Sequence, residues 1–138
     1  MKTNRMVLLL SLLLAAVACA TPASSGEMSA NRVLPESVWG SDEETLTVLA
    51  GGAAFEGLCV DGAISETLTL DGEGAFHANG TLRRKGGARA DDIPVAQVRY
   101  EGVVREGTMA LTIRGADGTP LVTATLKKGI RGTARPCS

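Results

Sequence analysis

Apolar and polar residues alternate with a period of two in several short stretches after residue 36, and threonine fills many of the polar positions. Successive side chains of a strand point to opposite faces, so this pattern is typical of antiparallel strands with one buried face. Asp-Gly and Gly-Gly pairs between the stretches favour tight turns, and Asp61-Gly62 predicts one directly after residue 60. The alternation predicts strands over residues 37–40, 45–50, 53–60, 66–70, 75–82, 95–104, 108–114 and 120–128.

About eight short strands without a convincing helix predict an all-β domain, a small antiparallel barrel or barrel-like sandwich. The Asn79-Gly80 pair has two interpretations, a hairpin turn or a glycine bend inside one longer strand. Residues 83–94 combine charges with glycines and predict a loop. The predicted core is Trp39, Leu46, Val48, Phe55, Cys59, Leu68, Leu70, Phe76, Tyr100, Met109, Leu111, Ile113, Val122, Ala124 and Leu126.

The start of the chain has a different pattern. Lys2 and Arg5 precede an apolar run over residues 7–18 that only Ser11 interrupts, which is typical of a secretory signal. At 1.5 Å per residue the run is about 18 Å long, well short of the roughly 30 Å hydrocarbon core of a bilayer. We therefore expect the segment to be cleaved rather than retained as a spanning helix.

The cleavage site has two interpretations. The segment Ala16-Val17-Ala18-Cys19 resembles the bacterial lipobox, in which the cysteine thiol takes a diacylglyceryl group, although Ala16 stands where leucine is usual. The triplet Ala18-Cys19-Ala20 also fits ordinary cleavage after Ala20. We prefer lipidation of Cys19, which divides the chain into a signal (1–18), a flexible tether (19–37) and a single β domain (38–138).

The chain has three cysteines, and lipidation of Cys19 leaves Cys59 and Cys137 as an even pair in an oxidising compartment. This predicts a disulfide that joins the C-terminal tail to a central strand; the alternative for Cys59 is a buried free thiol. The bond would contribute about 4 kcal/mol in the chain-entropy account.

Candidate catalytic chemistry is sparse. His77 is the only histidine, whereas a metal site normally needs two or more His or Cys ligands, so we expect a surface or strand-edge role for it and no metal or cofactor. Adjacent carboxylates occur at 43–44 and 91–92 in predicted loops, and no nucleophile motif is present. The sequence therefore predicts a protein that is not an enzyme.

Charge is distributed unevenly. After Cys19 there are 12 Lys and Arg against 15 Asp and Glu, a net charge of −3, and with few aromatics this disfavours nucleic-acid binding. Residues 33–82 hold nine acids and no base, whereas residues 83–138 hold eleven bases and five acids. Arg83, Arg84, Lys85 and Arg89 form a candidate basic patch for lipid phosphates or an acidic polymer. The alternative, which we favour, is that opposite charges pair across neighbouring strands.

Several of these positions form a recognisable pattern. Trp39-Gly40, Cys59, Gly74-x-Phe76, Tyr100-x-Gly102, Met109-x-Leu111 and Cys137 together resemble a group of uncharacterised small bacterial exported β proteins, often lipoproteins. The resemblance covers roughly residues 38–137 and supports the fold and the disulfide, but it implies no activity and no site residues.

The expected function is that of a non-catalytic bacterial envelope lipoprotein, held at the membrane through Cys19. Because Ala20 rather than Asp follows the cysteine, the expected location in a Gram-negative cell is the outer membrane, with the domain on its periplasmic or cell-surface side. The alternative is a secreted or anchored binding module for a small ligand or an envelope protein or polymer, such as a protease-inhibitor-like barrel.

Overall fold

Eight antiparallel strands close into a barrel in the computed structural model, which describes residues 31–86, 95–133, 135 and 137. The barrel order is β10-β2-β3-β4-β5-β7-β8-β9, and β1 and β6 form a separate two-stranded sheet. The prediction of a small all-β barrel of about eight strands is confirmed. The strands are β1 (Arg32–Val33), β2 (Ser37–Gly40), β3 (Thr45–Leu49), β4 (Gly52–Gly57), β5 (Val60–Ile64), β6 (Thr69–Leu70), β7 (Ala75–Arg84), β8 (Ala96–Arg105), β9 (Thr108–Arg114) and β10 (Pro120–Lys128).

The predicted strand over residues 53–60 is wrong, because the chain turns inside it. Strand β4 ends at Gly57, Cys59 adopts a positive φ of 58° in the turn, and β5 begins at Val60. The predicted turn at Asp61-Gly62 is also wrong, since both residues lie within β5. Gly62 has a packing role there: a Cβ at this position would collide with the Tyr100 hydroxyl.

The predicted start of the domain at residue 38 is wrong as well. Strand β1 lies within the predicted tether and pairs with β6, and Leu34 is buried. A two-residue strand has no periodicity of its own, so no alternation of apolar and polar residues indicated it. The predicted strand over 66–70 shortens to β6, and Asn79-Gly80 lies inside β7 rather than in a hairpin turn. Residues 1–30, with Cys19, and Arg89 of the predicted patch lie outside the described residues.

The two ends of the barrel differ. At one end, the capped end, the β1–β6 sheet and the segment after β5 bring the buried side chains of Leu34, Leu68 and Leu70 into the core. At the other end, the open end, lie the β2–β3, β4–β5 and β9–β10 turns. The described chain enters the barrel at the capped end, because β2 starts there.

The barrel interior is filled with side chains. Trp39, Phe55, Phe76 and Tyr100 are all buried within it, and they are all the aromatic residues of the chain. The Tyr100 hydroxyl donates a hydrogen bond of 2.7 Å to the Thr81 carbonyl, while burial, with a smaller contribution from Asp61, raises the pKa of the phenol. Small barrels can be filled by their own side chains in this way. The predicted core is confirmed, except that Val122 is only partly buried and Cys59 is half-buried in a turn.

Candidate functional site

The predicted disulfide between Cys59 and Cys137 is present and joins residues 78 positions apart. Cys59 lies in the β4–β5 turn, however, so the bond fixes the tail to the open end rather than to a central strand. This correction matters for function, because it places a covalent link beside the open mouth of the barrel.

The tail between β10 and Cys137 lies against the outer surface of β2 and β3. The Gly132 N–H donates to the Thr45 hydroxyl oxygen at 2.8 Å, and the Thr133 N–H donates to the Asp42 carbonyl at 2.9 Å. Thr45 is consequently buried although it is polar and faces outward. Gly40, which pairs with Thr45, leaves room for the tail, since a Cβ there would collide with the Ile130 carbonyl.

The predicted basic patch is partly neutralised. Arg83 donates two hydrogen bonds, of 3.0 and 2.8 Å, to Asp61 on the neighbouring strand, and this carboxylate raises the pKa of the guanidinium. The pair supports, at this position, the interpretation that opposite charges meet across strands. Arg84 and Lys85 form no ion pair within the described part of the chain.

The open end carries apolar surface next to this patch. A depression of about 290 Å³ lies between β10 and the strands across the mouth, and its lining is Val60, Leu82, Arg83, Arg84, Ala96, Leu121 and Val122. Leu58 and Leu121 are about half exposed, at 48% and 51%. The mouth therefore offers a small apolar surface, whereas the barrel below it is packed.

A second candidate is the outer surface of β7, β8 and β9, whose pairing arranges polar side chains in rows. Asn79 is opposite Arg99, which is opposite Arg114; the next row is His77, Glu101 and Thr112. We call the outward side chains of His77, Asn79, Gln97, Arg99, Glu101 and Arg114 the polar face. His77 is exposed on it, as predicted for a surface residue.

Glu101 is at the centre of the charges on the polar face. Its carboxylate accepts a 3.0 Å hydrogen bond from Nε of Arg114, and it lies 3.6 Å from Nε of Arg99 and 3.9 Å from Nδ1 of His77. The bond from Arg114 holds the pKa of Glu101 below its ordinary value, against a smaller opposing effect of desolvation and with further help from the charges of Arg114, Arg99 and His77. One carboxylate thus faces three cationic or ionisable nitrogen groups.

The polar face borders a surface depression of about 660 Å³. The depression lies between the strands and the β9–β10 turn, and its lining is Asn79, Gln97, Val98, Arg99, Glu101, Arg114, Gly115, Ala116 and Gly118. The Arg114 Nη1 also donates to the Gly118 carbonyl at 3.2 Å, which fixes the guanidinium against the turn.

Sequence reasoning missed the polar face, because its rows depend on strand register. The alternation of Gln97, Arg99 and Glu101 in one strand was a usable signal that these side chains share a side. Nothing in the sequence indicated that Arg114 and Asn79 would lie beside them, since that requires the pairing of β8 with both neighbours.

No protein-family model, curated protein or solved structure matches the chain. Within the described residues, no three His, Cys, Asp or Glu side chains are grouped so that they could hold a metal ion. The described part of the chain also has no helix of sufficient length and apolar character to cross a bilayer.

Proposed function

We propose that the protein is a non-catalytic envelope lipoprotein whose β-barrel is tethered through Cys19 and acts by binding at its outer surface. The observation that carries the proposal is the contrast between the packed interior and the exposed surfaces. The four aromatic side chains fill the barrel, while the polar face and the open end offer depressions on the outside. A ligand held inside the barrel, as in a calyx, would have to displace this core.

The position of the chain entry supports the tethered arrangement. A lipid on Cys19 would attach the chain to the membrane on the side of the capped end, where β1 and β2 begin. The open end would then be directed away from the membrane. The twelve residues from Ala20 to Asn31 span at most about 40 Å when fully extended. The tether is therefore long enough to hold the domain clear of the lipid headgroups.

The disulfide supports export. Disulfides persist in oxidising compartments and are rare in the cytosol, so the Cys59–Cys137 bond fits a protein that functions outside the cytoplasm. The lipobox-like segment before Cys19 is an independent reason to expect the same route, and the resemblance to exported β proteins, often lipoproteins, agrees with both.

The test is fractionation of the host cell after Cys19→Ser. We expect the wild-type protein in the detergent-extracted membrane fraction and the Cys19→Ser protein out of it, because acyl chains contribute about 0.8 kcal/mol for each buried methylene. The matched control is the Cys59→Ser/Cys137→Ser double variant, which keeps the anchor. Wild-type protein found only in the detergent-free soluble fraction would contradict the anchor and favour plain cleavage after Ala20.

A second candidate is a binding module that uses the open end. The observation in its favour is the apolar depression beside the half-exposed Leu58 and Leu121. Changing Leu121→Ser should then abolish uptake of a hydrophobic dye such as ANS while the melting temperature changes little. Equal dye fluorescence in both proteins would exclude the open end as an apolar site.

A further inference from the structure

We propose that Arg99 and Arg114 on the polar face bind a carboxylate of an acidic peptide segment. The inference deepens the proposed function by naming a site and a ligand class for the surface binding. It depends on surface binding and not on the lipid anchor, so the two can be tested separately.

The first step is the charge of the site. Arg99 and Arg114 are directly opposite each other in the β8–β9 ladder, and like charges in that position destabilise a sheet. Glu101 is shared between them, so these two guanidinium groups and one carboxylate together carry a charge of +1. Glu66, whose Oε1 accepts from the Asn79 N–H, borders the adjoining depression with His77 and Arg99 and does not line this one. The Asp61–Arg83 pair shows the balanced alternative, with one acid bonded to one base across neighbouring strands.

The second step is the number of hydrogen-bond donors left over. A guanidinium has five N–H groups in a planar fork. Arg114 uses Nε on Glu101 and Nη1 on the Gly118 carbonyl, whereas Arg99 approaches Glu101 with Nε alone, at 3.6 Å. Within the described part of the chain the remaining donors have no protein acceptor. A second carboxylate fits them, because such groups bind guanidinium forks in a bidentate way.

The third step distinguishes among anions. Glu101 stays next to any ligand that reaches the two arginines, so one singly charged carboxylate neutralises the three side chains, whereas a doubly charged phosphate would leave an excess negative charge beside Glu101. Acidic sugars usually pack a ring face on an aromatic side chain, and every aromatic residue of this chain is inside the barrel. A carboxylate carried by a peptide meets neither objection.

The fourth step concerns the flanking groups. Asn79 and Gln97 border the same depression, and each side-chain amide has both donors and an acceptor that match peptide N–H and C=O groups. A depression of about 660 Å³ accommodates a few peptide residues. The site is therefore complementary to a short extended segment that contains glutamate or aspartate.

The test is the binding of a fluorescein-labelled peptide of alternating glycine and glutamate to the mature full-length protein, measured by fluorescence anisotropy at low salt. The same peptide with glutamine in place of glutamate controls for charge. We expect Arg99→Gln and Arg114→Gln each to weaken binding at least about fivefold, and added salt to weaken it further. The matched control is Arg105→Gln, an exposed arginine of the same strand outside the depression, which should bind as the wild type does.

Glu101→Gln gives the sharpest readout, because a merely structural cluster and a binding site predict opposite results. Removal of the internal carboxylate should lower thermal stability yet tighten peptide binding about threefold or more, since both guanidinium groups lose a competitor. A gain in affinity cannot result from partial unfolding.

Several results would overturn the proposal. They are no binding by the wild type, equal binding of the glutamine peptide, or an equal loss in Arg105→Gln. Concentration-dependent self-association that Arg99→Gln abolishes, without peptide binding, would instead assign the face to the acidic strands of a second copy. The Cys19→Ser protein should bind the peptide as the wild type does, so a failed anchor leaves this inference standing.

Discussion

The two ends of the barrel are stabilised by different means. At the capped end, Leu34, Leu68 and Leu70 are at most 5% exposed, and Leu70 belongs to the β1–β6 sheet. At the open end, Leu58 and Leu121 remain about half exposed, and a disulfide with the attached tail holds the turns. Side-chain packing therefore stabilises the first end, whereas a covalent bond stabilises the second.

The difference indicates which end can be used for contact with other molecules. Packing at an end also removes its apolar surface from water, so the capped end has little exposed apolar surface for binding another molecule. A disulfide restrains the chain without covering the surface, so the open end stays rigid and accessible. The proposed anchor on the capped side and the proposed binding surfaces elsewhere agree with this division.

Among changes that test the difference between the two ends, removal of the disulfide should lower the free energy of unfolding most. The Cys59→Ser/Cys137→Ser double variant should lose about 4 kcal/mol of unfolding free energy, because the bond closes a loop of nearly 80 residues. Urea denaturation of the lipid-free protein measures the loss. A change below about 1 kcal/mol would mean that the tail contacts alone hold the open end.

The next largest effect is expected at the capped end. Leu68→Ala should cost about 3 kcal/mol, since it leaves a cavity among buried leucines. The matched control is Leu121→Ala at the open end, where half of the side chain is already exposed and the expected cost is below about 1 kcal/mol. Equal costs at the two ends, measured by urea denaturation, would remove the distinction between them.

A smaller loss of stability is expected when the Thr45 hydroxyl, which accepts a hydrogen bond from the tail, is removed. Thr45→Val keeps the shape of the side chain but leaves the Gly132 N–H without its acceptor, at a cost of about 1 kcal/mol. In the Cys59→Ser/Cys137→Ser background the same change should cost less, because the tail is free to leave. A double-mutant cycle measures this coupling, and strict additivity would show that the tail stays in place without the bond.

The smallest expected effect is the dependence of stability on pH, which involves one aspartate in a turn at each end. Backbone N–H groups of Ala75 and Glu73 lower the pKa of Asp71 near the capped end, and that of Thr119 lowers the pKa of Asp117 at the open end. A lowered folded-state pKa means that each carboxylate stabilises the fold above its ordinary pKa, and that this stabilisation is lost as pH falls through the lowered value. NMR titration should give both midpoints below the ordinary aspartate value; midpoints at or above it would contradict the two turn hydrogen bonds.

The sequence predicted the barrel well where alternation was long and uninterrupted. Strands β9 and β10 have the predicted bounds, because buried apolar residues recur at every second position, at Met109, Leu111 and Ile113 in β9 and at Ala124 and Leu126 in β10. The β4–β5 hairpin was misplaced because Asp61-Gly62 has the composition of a turn, whereas the actual turn contains Cys59 at positive φ. Gly62 leaves room for the hydroxyl of Tyr100, which is 38 positions later in the chain, and no local pattern reveals such a contact.

The candidate sites were less predictable than the fold for a related reason. The two cysteines were paired correctly because only one pair remained once Cys19 was assigned to the lipid. The basic patch was predicted because its residues are adjacent in sequence. The register of β5 and β7 instead places Arg83 opposite Asp61, with which it forms an ion pair. The same register brought Arg99 and Arg114 together from separate strands. Function on a sheet surface depends on neighbours across strands, which the order of residues does not show.

The most direct test of the account is the intact mass of the protein extracted from the membrane fraction of its own host, recorded before and after reduction. The account predicts a chain that begins at Cys19 with added acyl groups and gains the mass of two hydrogen atoms on reduction, which marks an anchor at the capped side and a disulfide at the open end. The mass of a chain that begins at Thr21 without lipid would contradict the anchor. An unchanged mass on reduction would contradict the disulfide at the open end.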